Sequence, residues 1–153
     1  MRLIISIGLI SFLLSLNAFS YPRYSSDDDT KNQKLFFVIP SNGEEVTSPF
    51  KVEFGLIGMD VVPAGIDKPM SGHHHLLIDV EKLPNMKAPI PADKSHLHFG
   101  KGQKETMLEL PKGKHTLQLL LGNYLHIPHD KPLISERIET VSYTHLRAHE
   151  TWS

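Results

Sequence analysis

Ten histidines and no cysteine bound the chemistry open to this chain. Eight of the ten fall in one stretch: His73, His74, His75, His96, His98, His115, His126 and His129. Without thiols, disulfides, iron–sulfur clusters, thiolate zinc sites and cysteine nucleophiles are all excluded. A site rich in imidazole and poor in carboxylate favours Cu(II) or Zn(II) over Ca(II) or Mg(II). Met59, Met70, Met86 and Met107 do not cluster in the sequence, so a Cu(I) thioether site is not indicated; only Met70 lies near His73.

Alternation along a strand sorts the histidines by face. Over 73–80, His74, Leu76, Ile78 and Val80 share the more apolar face and should look inward. His73, His75, Leu77 and Asp79 share the other. His96 and His98 likewise share a face, opposite Leu97 and Phe99. The chain thus carries two His-x-His pairs, each with its rings about 7 Å apart at the β-carbon level, close enough to share one ion. Asp79 lies on the face of His75 and could ligate or orient a ligand. His115 shares a face with Leu117, Leu119 and Leu121, at the rim of a core. His126 and His129 sit in the loop YLHIPHDKP. The first-choice metal ligands are therefore His73, His75, His96 and His98. His115, His126, His129 and Asp79 stand in reserve.

The elements that must carry these residues read as strands. No stretch of 34–141 sustains an apolar stripe at helical spacing over three turns. Leu35–Ile39 is a short apolar run stopped by Pro40, followed by turn residues Ser41, Asn42 and Gly43. Phe50, Val52, Phe54 and Leu56 alternate with Lys51, Glu53 and Gly55, the mark of a half-buried strand. Further strands are expected at 73–80, 104–110, 114–121 and 133–141. Pro111-Lys112-Gly113 makes a tight turn. Loops rich in Pro and Gly lie between. Six or seven short strands in one domain suggest an all-β fold, an antiparallel immunoglobulin-like β-sandwich. Its core would hold Phe37, Val52, Phe54, Leu76, Ile78, Leu108, Leu110, Leu117, Leu119 and Ile138. A domain of this size can stand without disulfides.

The two ends read differently. Arg2 followed by the apolar run Leu3–Leu16 and by Ala18-Phe19-Ser20 reads as a secretory signal peptide, 1–20. The run is too short to span a bilayer comfortably, so no membrane span is expected after cleavage. Residues 21–33 lack apolar periodicity and read as a solvated linker. The terminal run 142–153, SYTHLRAHETWS, matches nothing before it and resembles a translated sequencing-adapter remnant. It is set aside here together with His145, His149 and Trp152. The expected location is periplasmic or secreted.

Composition narrows the function classes. Lys and Arg number 16 against 17 Asp and Glu, so bulk charge gives no footprint for nucleic acid. No Gly-x-Ser-x-Gly elbow supports a serine hydrolase. Gly100-Lys101-Gly102 is too short a glycine motif for a phosphate cradle. Histidines on a sandwich also suggest a copper–zinc superoxide dismutase, but the disulfide cysteines and glycine framework of that family are missing. A metal-binding module is favoured over an enzyme. The alternative is a structural or partner-binding domain of the cell envelope, whose histidines serve packing and loop hydrogen bonds.

The motifs also carry a resemblance. The chain resembles the bacterial family called domain of unknown function 4399 through FFVIPSNGEEVTSPFKVEFGLIGM (36–59), PAG (63–65), GHHHLLID (72–79), HLHFGKGQ (96–103), GKHTLQLLLGNYLHIPHDKP (113–132) and SERI (135–138). Lys104 departs from it, standing where the family pattern suggests Thr. The resemblance implies an exported β domain and no established activity. It maps the family motifs onto His73, His74, His75, Asp79, His96, His98, Gly100, Gly102, Gln103, His115, His126 and His129.

Overall fold

The structure, a computed structural model, describes residues 32–144. The expected signal peptide, nearly all of the expected linker and residues 145–153 lie outside the described residues. Nine strands and no helix occur among the described residues. They are β1 (Lys34–Ile39), β2 (Glu44–Ser48), β3 (Phe50–Ile57), β4 (Asp60–Val61), β5 (Ser71–Ile78), β6 (His96–His98), β7 (Glu105–Leu108), β8 (Gly113–Gly122) and β9 (Ile138–Thr144).

The strands form two sheets. One has the order β1-β3-β7, and the other has the order β2-β9-β8-β5-β4 with β6 also paired to β5. The chain passes from the second sheet to the first at Pro49, the single residue between β2 and β3. The expectation of a wholly antiparallel arrangement gives way here, because β2 runs parallel to β9 and β4 parallel to β5. Both parallel partners are short strands on sheet edges, joined to their neighbours by long connections rather than hairpins. β2 escapes a reading by periodicity because Val46 is its one apolar residue.

The inner faces of the two sheets meet in one core. Every expected core residue except Phe37 is buried there, and Phe37 packs against the cluster from a half-buried position. Alternation explains the selection: Val52 and Phe54 of β3 face Leu76 and Ile78 of β5 and Leu117 and Leu119 of β8.

The outer face of the larger sheet is covered as well. Leu77, Leu120 and Ile90 form a second buried cluster, with Val80, Met86 and Ile134 packed around it. Ile90 and Met86 come from the loop between β5 and β6, and Ile134 from the segment before β9. Every residue of β5 is therefore buried, and so is the run Leu119–Gly122 of β8. A strand covered on both faces reads as an unbroken apolar run, which accounts for Leu119-Leu120-Leu121.

The expected strand 133–141 is two pieces. Leu133 and Ser135 exchange backbone hydrogen bonds with Leu121 and Leu119. After Glu136 and Arg137, β9 takes over the same edge of β8 from Leu117 to Gly113. The last strand also runs beyond Val141, the expected end of the domain: Ser142 pairs with both Val46 and Gly113 and is fully buried. Among the described residues no helix is long and apolar enough to cross a membrane.

Leu120 belongs to the smaller cluster and is fully buried, so Leu120→Ala should cost about 2–5 kcal/mol from lost burial plus the cavity left. Urea denaturation checks this. A cost below about 1 kcal/mol would mean that the loop layer collapses freely onto the sheet.

Candidate metal centre

Strand pairing assembles the site. In the register of β5 with β6, His75 lies opposite His98, Leu76 opposite Leu97, and Leu77 opposite His96. In the register of β5 with β8, His73 lies opposite Gly122 and His75 opposite Leu120. His73, His75 and His98 thus rise from the same patch of the outer face. A fourth ring arrives on the loop after β8, where His126 reaches over from the side.

The four rings are mutual neighbours. Ring centroids lie 4.9 Å apart for His73 and His75, 5.0 Å for His73 and His98, and 5.0 Å for His73 and His126. The remaining separations are 5.0 Å for His75 and His98, 4.7 Å for His98 and His126, and 6.2 Å for His75 and His126. One ring nitrogen from each of His73, His98 and His126 lies within 4.8 Å of the other two. His73 and His75 form a buried floor, His126 is half-buried, and His98 is exposed at the rim.

Two glycines give the rings room. A Cβ at Gly100 would come 2.3 Å from Cε1 of His98, two residues before it. A Cβ at Gly122 would come 2.7 Å from Cε1 of His75.

The site is electrostatically unusual. Neither ring nitrogen of His73 has a hydrogen-bond partner, nor has Nδ1 of His75, and all three atoms are buried. Orphaned buried polar atoms each carry a desolvation cost, and one of a neutral ring's two nitrogens is a lone pair available to a cation. Burial, reinforced by the neighbouring imidazoles, lowers the pKa of His73 to about 4. Burial and the charges of His73, His98 and His126 lower that of His75 to about 3. His98 is also lowered, through burial and His126. The floor is therefore neutral at physiological pH, the form in which imidazole ligates metal.

The other candidates go elsewhere. His96 shares the outer face but lies two pairs further along, opposite Leu77, and its Nδ1 sits 2.8 Å from Oδ1 of Asp93. His115 lies 2.8 Å from Oδ2 of Asp79 through Nδ1 and 2.9 Å from the Pro111 carbonyl through Nε2. Both partners of His115 are acceptors, so both nitrogens must carry protons to satisfy them. Burial lowers the His115 pKa, but the hydrogen bonds and charge of Asp79 and the Pro111 carbonyl outweigh it and the net shift is upward. Asp79 also accepts from the Thr116 backbone at 2.8 Å, so it ties β5 to β8 far from the four rings. His129 is half-buried with an unpartnered Nε2, and burial lowers its pKa. It does not stack with the four rings. His74 points into the inter-sheet core against Phe54, 5.1 Å between centroids, with Nδ1 3.2 Å from the Gln103 carbonyl. Of the four first-choice candidates, His73, His75 and His98 lie together and His96 lies apart, while His126 lies beside those three. No periodicity could rank His126 above His129, because both sit in one loop.

The sequence pattern described as Domain of unknown function (DUF4399) matches residues 52–142. No curated protein matches the chain at a significant level. Among solved structures, the endo-beta-1,4-mannanase from Thermotoga petrophila is similar at 14% identity and a TM-score of 0.44. That similarity covers 78% of this chain and 22% of the mannanase chain.

The lowered pKa values of His73, His74 and His75, about 4, 4 and 3, have a consequence for stability. The unfolded chain protonates these positions near pH 6.5, whereas the folded chain resists. The contribution of these three rings should be level above pH 7 and fall as pH drops from about 6.5 towards 4, each ring adding up to about 1.4 kcal/mol per pH unit. His115 acts in the opposite direction, with stability present below about pH 6.5 and lost as pH rises through its raised value. Urea midpoints measured from pH 4 to 8 test the sum. A His75→Leu variant should show a shallower acid slope, and an unchanged slope would contradict the assignment.

Proposed function

The chain belongs to the family described as Domain of unknown function (DUF4399), and from that premise we propose that it binds one divalent transition-metal ion through imidazole nitrogens alone. The observation that carries this reading is His73: fully buried, both ring nitrogens without partners, and one of them within 4.8 Å of ligand nitrogens on His98 and His126. His75 is the candidate fourth ligand by ring proximity, 4.9 Å from His73 and 5.0 Å from His98, although its nitrogens stand outside the 4.8 Å group of the other three. With metal–nitrogen distances of about 2.0–2.1 Å, four rings in a tetrahedron have centroids roughly 5 Å apart. Five of the six separations here run from 4.7 to 5.0 Å.

Four neutral ligands leave the bound ion its full charge, and among the described residues no carboxylate joins the cluster. That donor set suits Cu(II) or Zn(II) and gives Ca(II) and Mg(II) little. His98, the most open residue of the four, gives the ion a route from solvent. The structural reading of the histidines fits His96 and His115, each paired with a carboxylate. It leaves His73 and His75 with orphaned nitrogens. We read the whole as a metal-binding module on an immunoglobulin-like sandwich, exported to the periplasm or beyond. Arg2, the apolar run that follows it and Ala18-Phe19-Ser20 support export.

Calorimetric titration of the chain lacking residues 1–20 with Cu(II) and Zn(II) tests the proposal. One ion per chain with submicromolar affinity is expected. His73→Ala, His98→Ala and His126→Ala should each weaken it at least about tenfold, while His96→Ala and His115→Ala leave it unchanged. Affinity no better than that of scattered surface histidines, or equal loss from all five variants, would defeat it.

A further inference from the structure

We propose that Asn123 is the positioning residue that holds His126 in the metal centre, an inference that rests on the metal-binding reading above. His126 adopts a left-handed backbone conformation, with φ at 66°. A residue with a Cβ persists there only when its surroundings over-determine the backbone. Asn123 supplies most of that determination. Its Oδ1 accepts from the backbone N–H of Leu125 at 2.8 Å and of Ile127 at 3.1 Å, the two residues flanking His126. Its carbonyl accepts from the N–H of His126 at 2.8 Å, and its own N–H donates to the Ile127 carbonyl at 2.8 Å. The His126 carbonyl is taken by the N–H of Ile90 at 2.8 Å, which pins the turn to the loop covering the sheet.

Backbone and side chain of Asn123 thus close around a single residue. The side-chain atom facing the two N–H groups must be an oxygen, so the amide is turned towards the turn. Asn123 acts on the metal only through the ring it places. With that ring lying 5.0 Å from His73 and 4.7 Å from His98, a relaxation of the backbone to negative φ would carry the imidazole out of the cluster. Aspartate can replace asparagine in this role, serine in part, and alanine not at all.

Titration with Zn(II) and Cu(II) of Asn123→Ala, Asn123→Asp, His126→Ala and the double variant Asn123→Ala/His126→Ala tests the assignment. Asn123→Ala should weaken binding at least about tenfold, approaching His126→Ala, and Asn123→Asp should stay near the parent chain. In the double variant the Asn123 effect should vanish, because its whole contribution passes through His126. Asn123→Ala binding like the parent, or an Asn123 effect that survives undiminished without His126, would overturn the proposal. If Asn123→Ala fails to fold, Asn123→Ser takes its place, with an intermediate loss expected and the same comparison in the His126→Ala background. A parent chain that binds neither ion would end the metal reading itself, a result distinct from any of these patterns.

Discussion

The register of β5 between β6 and β8 is the constraint on which the rest depends. A shift of one residue would exchange the two faces of β5, sending His73 and His75 into the inter-sheet core and Leu76 and Ile78 out under the loops. The core forbids that slip. Leu76 and Ile78 fill space between two sheets already packed with Phe54, Leu117 and Leu119. The apolar core therefore fixes where the polar histidines stand. It does so without touching His73, His75 or His98.

Burying those histidines needs a second layer, and the loops provide it. Ile90, Met86 and Ile134 close over Leu77 and Leu120. His73 and His75 stand buried beside that layer, where protonation is costly. The same protein treats other imidazoles in the opposite way. His96 and His115 each lie against a carboxylate, and for His115, although burial opposes it, Asp79 and the Pro111 carbonyl carry the net pKa shift upward. Two environments on one sheet thus separate histidines that hold structure together from histidines left with vacant lone pairs. The difference lies in neighbours: Asp79 and Asp93 stand within reach of one group and not of the other.

Much of this was legible in the sequence. The all-β class, nine of the ten named core residues, and the inward turn of His74 with the outward turn of His73 and His75 all follow from a period of two. Other features carry no such signal. β2 has a single apolar residue, so alternation is silent there. The parallel pairing of β2 with β9 joins residues nearly a hundred positions apart, beyond any local pattern. The outward face of β5 looks solvent-facing from alternation alone, because loops that cover it have no periodicity to announce the fact.

The site divides along the same line. Residue types show that an imidazole centre is available and that no thiol joins it, and alternation puts His73 with His75, and His96 with His98, on one strand face each. These are properties of residue type and of a strand's alternation, both local. Long-range packing brings His98 to His75, sets Asp93 against His96, and puts His126 rather than His129 among the stacked rings. Those outcomes depend on strand register and on a turn held by Asn123, where residues distant along the chain settle which side chains can touch.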